Sequence, residues 1–197
     1  LADKMAAAGI SDFYEMNDEV RAQLVSELSA QLGAKPLDDM FEGMKHFDKA
    51  FSGDVWVVAE QSENEIHPAT FELVGKAREL ADSLEVQVGV ALAGYGVESM
   101  AQELIAGGAD KVYLVEHELL REFDPLTYRK AVAQLIAEFW PQIVLFAATP
   151  VGRVLAPMVS YRLGCGLTAD CTSLDIRDNT KKGLVGILLQ TRPALGG

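Results

Sequence analysis

From residue 54 onward the chain alternates, four times over, between a short β-branched and aromatic run and a longer run with helical apolar spacing. Asp54–Glu60 (DVWVVAE), Val86–Ala93, Lys111–Glu116 (KVYLVE) and Ile143–Ala148 (IVLFAA) read as strands. His67–Leu84 carries Leu73, Val74, Ala77, Leu80, Ala81 and Leu84 on one helical face. Glu98–Ala106 turns Met100, Ala101, Leu104 and Ile105 inward and closes on Gly107-Gly108. Asp124 and Pro125 form an N-cap and first-turn pair for a helix through Phe139, which Pro141 ends, and Val151–Leu163 reads as a further helix. Successive strand–helix units of this length require crossover connections, so the strands are expected to lie parallel with helices on both faces. Nearly continuous apolar strands fit burial on both sides. Thr172–Arg177 and Leu184–Gln190, separated by Asp178-Asn179-Thr180, read as a hairpin added at the end. The fold class is α/β.

Residues 1–50 follow a different rhythm. Val20, Leu24, Val25, Leu28 and Leu32 share one helical stripe between the N-cap Asn17 and the stop Gly33, and Pro36 opens a second pattern through Phe47. This stretch reads as a helical leader of unknown role, with a lone His46 given a structural part. Absence of Met at position 1 suggests a cleaved or excised piece. No apolar run approaches membrane-spanning length and no basic-then-apolar signal opens the chain, so a cytoplasmic location is expected. The net charge of −12 is spread along the 197 residues. An acidic surface repels phosphate backbones, which argues against nucleic acid as a partner.

Ligands of an open α/β sheet gather at the carboxyl ends of its strands. Glu60-Gln61-Ser62-Glu63-Asn64-Glu65, after the first strand, has no glycine and three acids, so neither a P-loop nor a dinucleotide fingerprint stands there. Gly94-Tyr95-Gly96 after the second strand is accounted for by a tight turn. Ala148-Thr149-Pro150-Val151-Gly152-Arg153 combines a glycine, an arginine and a helix start. That set would suit an anion, and Arg153 would equally suit an acidic residue or a partner subunit. No nucleophile elbow, Cys–His pair or paired-histidine metal motif occurs, and Asp38-Asp39 sits on a face read as solvated. No enzymatic constellation is expected. Cys165 and Cys171 lack the partners of a zinc site and are expected to be free, buried thiols.

The stretch Ala148-Thr149-Pro150-Val151-Gly152-Arg153-Val154-Leu155-Ala156-Pro157, followed by Arg162-Leu163 and by Gly166-Leu167-Thr168-Ala169-Asp170-Cys171-Thr172, resembles the alpha subunit of electron transfer flavoprotein. So does the terminal Gln190-Thr191-Arg192-Pro193-Ala194-Leu195-Gly196-Gly197, with Gly96-Val97-Glu98 and Gly108–Tyr113 in support. The resemblance covers about residues 51–197. It implies a Rossmann-like domain of the adenine-nucleotide-hydrolase type, the N-terminal α/β domain of the alpha subunit, cut before a separate FAD domain. It further implies an electron carrier that works with a beta subunit, taking electrons from dehydrogenases through FAD. No cofactor is expected in residues 1–197 themselves.

Arg153, Thr168, Asp170 and Arg192 are the expected partner-facing residues. The pattern departs at Val154, where the family often has an acid, at Met158, where it often has an arginine, and at Leu195, where phenylalanine is common. Pro157 matches, and is expected near a first turn or at a kink. The leader has no counterpart in the resemblance. The competing reading is a small adenine-nucleotide-binding module of the stress-protein or ATP-pyrophosphatase type, which needs the glycine-rich loop that Glu60–Glu65 denies. A hydride-transferring dehydrogenase fails on the same missing fingerprint. An end at Gly197 would leave the strand with Val185, Ile187 and Leu189 at an open edge, so self-association is also expected.

Overall fold

A computed structural model describes residues 53–62, 65–179 and 184–193. The leader helices and Asp38-Asp39 lie outside the described residues.

Four parallel strands form the main sheet: β1 (Val55–Val58), β4 (Val88–Gly94), β5 (Lys111–Glu116) and β6 (Ile143–Leu145), in spatial order β5-β4-β1-β6. Between β1 and β4 the chain makes a miniature antiparallel hairpin, β2 (Gln61–Ser62) with β3 (Glu65–Ile66), and then helix α1 (Pro68–Leu84). Helix α2 (Glu98–Ala106) joins β4 to β5, α3 (Pro125–Phe139) joins β5 to β6, and α4 (Pro150–Leu163) follows β6. The chain thus lays its first three main strands outward in one direction and returns past β1 to place the fourth. α1 and α2 cover one face of the sheet, and α3 and α4 the other.

The alternation of side chains divides the core accordingly. Val55 and Val57 meet Val74, Ala77, Leu80 and Leu104 on the first face, whereas Trp56 and Val58 meet Val132, Leu155 and Val159 on the second. Both faces of β1 and β4 are buried, as their apolar composition requires. On the second face the Trp56 indole reaches across β4 and stacks on Tyr113 of β5 with ring centroids 4.2 Å apart. Gly89 makes the crossing possible: a Cβ there would lie 2.5 Å from the indole Nε1. Phe139 closes the cluster, 4.5 Å from the Tyr113 ring.

Caps set most of the helix starts. His67 Nδ1 accepts from Ala69 N–H, Asp124 from Thr127 N–H and Thr149 from Gly152 N–H, each with proline next in sequence. Asp110, just before β5, accepts from Val88 N–H at 2.8 Å and from Arg78 at 2.7 Å. Burial works to raise its carboxyl pKa, but these two hydrogen bonds and the charges of Arg78 and Lys111 outweigh it and hold the carboxyl below its ordinary value.

Several expectations shift in detail. The fourth strand stops at Leu145 rather than Ala148, because among the described residues β6 pairs with β1 alone and Phe146–Ala148 turn to deliver the Thr149 cap. The second strand begins at Val88, since Glu85 takes a left-handed conformation to end α1 and Val86 N–H returns to Ala81. Pro157 sits in the middle of α4, not in its first turn. There its missing N–H falls on an exposed turn of the helix.

The closing hairpin, β7 (Ser173–Asn179) with β8 (Leu184–Thr191), is antiparallel and separate from the main sheet. Leu174, Ile176 and Leu188 pack against the core on the α1 side, while Val185 is 80% exposed. Cys165 is exposed and Cys171 half-buried, so the thiols are free but not buried as expected; the segment after α4 runs over the surface.

Candidate functional site

In the order β5-β4-β1-β6, the direction in which successive strands are added reverses at β1, so the connections leave β1 and β6 to opposite sides, and this is where open α/β sheets open a crevice for ligands. Here two of the protein's own side chains, Glu60 and Thr149, meet at that place. Glu60, two residues past β1, accepts a hydrogen bond from the Thr149 hydroxyl, whose oxygen lies 2.7 Å from each carboxylate oxygen. Thr149 Oγ1 in turn caps α4 by accepting from Gly152 N–H at 3.0 Å. A negative group therefore stands at the positive end of α4, the position in which such folds place a phosphate.

The backbone of Glu60 is held as firmly as its side chain. Its N–H donates to the buried Thr70 hydroxyl in the first turn of α1, and its carbonyl accepts from His67 N–H at 2.8 Å. One residue thus ties together the end of β1 and the starts of α1 and α4. Gly152 is required for the closeness of this join: a Cβ there would lie 1.9 Å from the Ala147 carbonyl oxygen and 3.0 Å from Glu60 Oε1.

Gln61 fills the neighbouring gap between β1 and β4. Its side-chain amide donates to the Tyr128 hydroxyl at 3.2 Å, and that hydroxyl donates to the Leu120 carbonyl at 2.9 Å. Burial raises the Tyr128 pKa, the Gln61 hydrogen bond lowers it by less, and the phenol stays a proton donor at neutral pH. A Cβ on Gly94 would meet the Gln61 amide and Val97. At the outer end Tyr95 and Arg121 form a cation–π pair at 4.2 Å, and Gly96 N–H donates to Glu116.

The second region lies beyond the start of α4. Arg153, in its first turn, pairs with Asp170 at 2.6 Å and donates from Nε to the Ala148 carbonyl. Of the uses the sequence left open for Arg153, pairing with an acid is what the fold displays. Asp170 holds a left-handed backbone, φ 56°, a conformation that Asp tolerates better than most residues. The Thr168 hydroxyl donates to the Gln190 side-chain carbonyl, and Thr172 N–H to the Thr191 carbonyl at 2.8 Å. The segment from Gly164 to Thr172 is thereby fastened to α4 at one side and to β8 at the other. Arg192, just past β8, is exposed on the same strand end. Of the four expected residues, Arg153 lies in α4, Asp170 is joined to it by the ion pair, Thr168 is joined to β8 by a hydrogen bond, and Arg192 stands two residues from Gln190.

Apolar side chains are exposed beside them. Val154, Pro157 and Tyr161 recur at helical spacing on the outer face of α4, with Tyr161 89% exposed and Leu167 following. Among the described residues no group of three or more His, Cys, Asp or Glu is placed to hold a metal ion. No described helix is long and apolar enough to cross a membrane.

The sequence pattern missed Glu60 and Gln61 as site residues, registering them only as the lack of a phosphate loop. Their signal was the pairing of an acid after the first strand with Thr149-Pro150 after the fourth, which becomes visible once the strand order is known.

A doubly wound sheet of this order, with helices on both faces and a carboxylate at the start of α4, defines a Rossmann-like α/β domain. Comparison with known proteins gives its family: the chain belongs to the electron transfer flavoprotein domain family, which it matches over residues 55–197. It is 46% identical over 144 residues to an electron transfer flavoprotein subunit alpha of Thermoanaerobacterium thermosaccharolyticum, covering 73% of this chain and 42% of that protein. It is 41% identical over 150 residues to subunit LctC of the lactate dehydrogenase (NAD(+),ferredoxin) of Acetobacterium woodii, covering 76% of this chain and 34% of that protein. It is 36% identical over 185 residues to Protein FixB of Azorhizobium caulinodans, covering 92% of this chain and 46% of that protein. The last match necessarily runs into residues 1–50, which the sequence resemblance had left without a counterpart. The chain spans less than half the length of these relatives.

Proposed function

We propose that residues 51–197 are the N-terminal scaffold domain of an electron transfer flavoprotein alpha subunit, which with a beta subunit carries electrons from dehydrogenases to a further acceptor through FAD. The observation that carries this reading is the Glu60 carboxylate bonded to Thr149 at the start of α4, where a nucleotide-binding relative of the fold would place a phosphate. Carrying electrons asks of a scaffold that redox centres be held close in a protected geometry; it asks for no catalytic side chain. The docking face for the beta subunit or the flavin domain is assigned to Arg153, Thr168, Asp170 and Arg192, together with the exposed apolar stripe of α4. The FAD belongs to a further domain and residues 1–197 bind none. The location is cytoplasmic. The partly exposed β8 is a surface through which the chain alone associates with itself, to be read in the concentration dependence of its sedimentation.

Replacing Arg153 and Asp170 together by alanine tests the docking face. Co-purification with the beta subunit is expected to fall while far-ultraviolet circular dichroism stays unchanged; full co-purification refutes the assignment. Calorimetry with AMP and ATP, and the visible absorption of the purified chain, test the rest. Nucleotide binding would instead favour an adenine-nucleotide module, and stoichiometric flavin would overturn the scaffold reading.

A further inference from the structure

Glu60 holds three elements at once: β1, which it follows, α1 through Thr70 and His67, and α4 through Thr149. The start of α4 has no freedom to drift outward without giving up the Thr149 hydroxyl bond, and none to move inward because Gly152 already touches the Ala147 carbonyl. Arg153 follows directly and carries Asp170 with it. Asp170 lies in the segment whose other end is fastened to β8 through Thr168 and Thr172. The carboxylate at the crevice is therefore connected, through three consecutive contacts, to the surface assigned above to partner docking.

We propose that Glu60 is a positioning residue for that docking surface: its carboxylate, acting through Thr149 on the first turn of α4, sets where Arg153 and Asp170 are presented to the beta subunit. The inference rests on the docking face proposed above. An internal carboxylate suits the task better than a bound phosphate, because it is always present and leaves the surface in one geometry regardless of nucleotide supply. It also satisfies the helix start electrostatically, so nothing else is needed to complete α4.

The test uses the full chain co-expressed with the beta subunit, comparing Glu60→Ala, Glu60→Gln and the Arg153→Ala/Asp170→Ala pair. Amide hydrogen exchange reads the latch, and the dissociation constant of the complex reads the docking. Glu60→Ala is expected to lower the protection of the Gly152 and Arg153 amides by about ten- to a hundredfold, the scale of one hydrogen bond to a charged group, and to leave Val90–Leu92 in β4 unchanged. It is expected to weaken the complex as well. Glu60→Gln keeps an acceptor for the Thr149 hydroxyl and is expected to restore most of both effects. Unchanged protection in Glu60→Ala overturns the inference. So does lost protection with undiminished affinity when the Arg153/Asp170 pair variant does bind weakly, because docking then stands and positioning fails. Undiminished affinity in both variants removes the docking face itself, and the inference with it. Where Glu60→Ala does not fold, Thr149→Val set against Thr149→Ser makes the same cut from the other side of the contact.

Discussion

Replacing Gly152 by alanine isolates the closeness of the β1–α4 join. By helix propensity alone the change should stabilise, since alanine is favoured over glycine in a helix by about 1 kcal/mol. Packing opposes it. The new Cβ would stand 1.9 Å from the Ala147 carbonyl oxygen, well inside the roughly 3.3 Å at which carbon and oxygen meet. That oxygen is backbone, so relief requires moving the start of α4 by more than a side-chain adjustment. Overpacking of this kind costs about 1–3 kcal/mol, and displacing α4 also strains the Glu60–Thr149 hydrogen bond, worth about 1.5–3 kcal/mol for a charged partner. Set against the propensity gain, a net loss of about 3 kcal/mol is expected, a fall in Tm of roughly 6–12 °C for a chain of this size. Gly75 provides the internal control: it lies within α1, exposed, with nothing near its missing Cβ. Gly75→Ala should raise Tm by about 2–4 °C. Thermal unfolding followed by circular dichroism measures both. If Gly152→Ala unfolds at or above the temperature of Gly75→Ala, the tight join is not present in the folded protein.

Trp56→Ala empties the centre of the second core face and should cost about 3–5 kcal/mol, read from the urea midpoint. Tyr128→Phe leaves the Leu120 carbonyl without the hydroxyl that donates to it and the Gln61 amide with only its longer bond to the Ala93 carbonyl, and should cost about 1–3 kcal/mol in the same assay. The folded pKa of Asp110 lies below its unfolded value, so the stability it adds is full above about pH 3.9 and is lost as pH falls through the folded value. Asp110→Asn should flatten that acid limb of the stability–pH curve, and an unchanged limb would refute the assignment.

Trp56, Val74, Leu104 and Val132 could be placed in the core from spacing alone, because burial on two faces leaves a continuous apolar run and a helix stripe leaves a period. The hairpin at Gln61–Ile66 was not legible: each of its strands is two residues long, too short for any period to show. The end of β6 carries no local mark for a related reason, since Phe146 and Ala147 are apolar whether or not they join the ladder. Of the residues proposed for docking, Arg153 stands out by its glycine-and-helix-start setting and Asp170 by the resemblance, but their mutual pairing across seventeen positions is not a property of either neighbourhood.

Apolar periodicity, the turn residues and the caps at His67, Asp124 and Thr149 determined the order of elements and the α/β class, because each depends on a few consecutive side chains. The order β5-β4-β1-β6 was decided by tertiary structure, which alone set β1 against both β4 and β6. Only that adjacency brings Glu60 to Thr149, residues 89 positions apart, and turns an acidic stretch that merely lacked a phosphate loop into a carboxylate occupying the helix start. A hydrogen bond between distant segments has no local signature; it exists when the packing of two faces leaves a donor and an acceptor within reach.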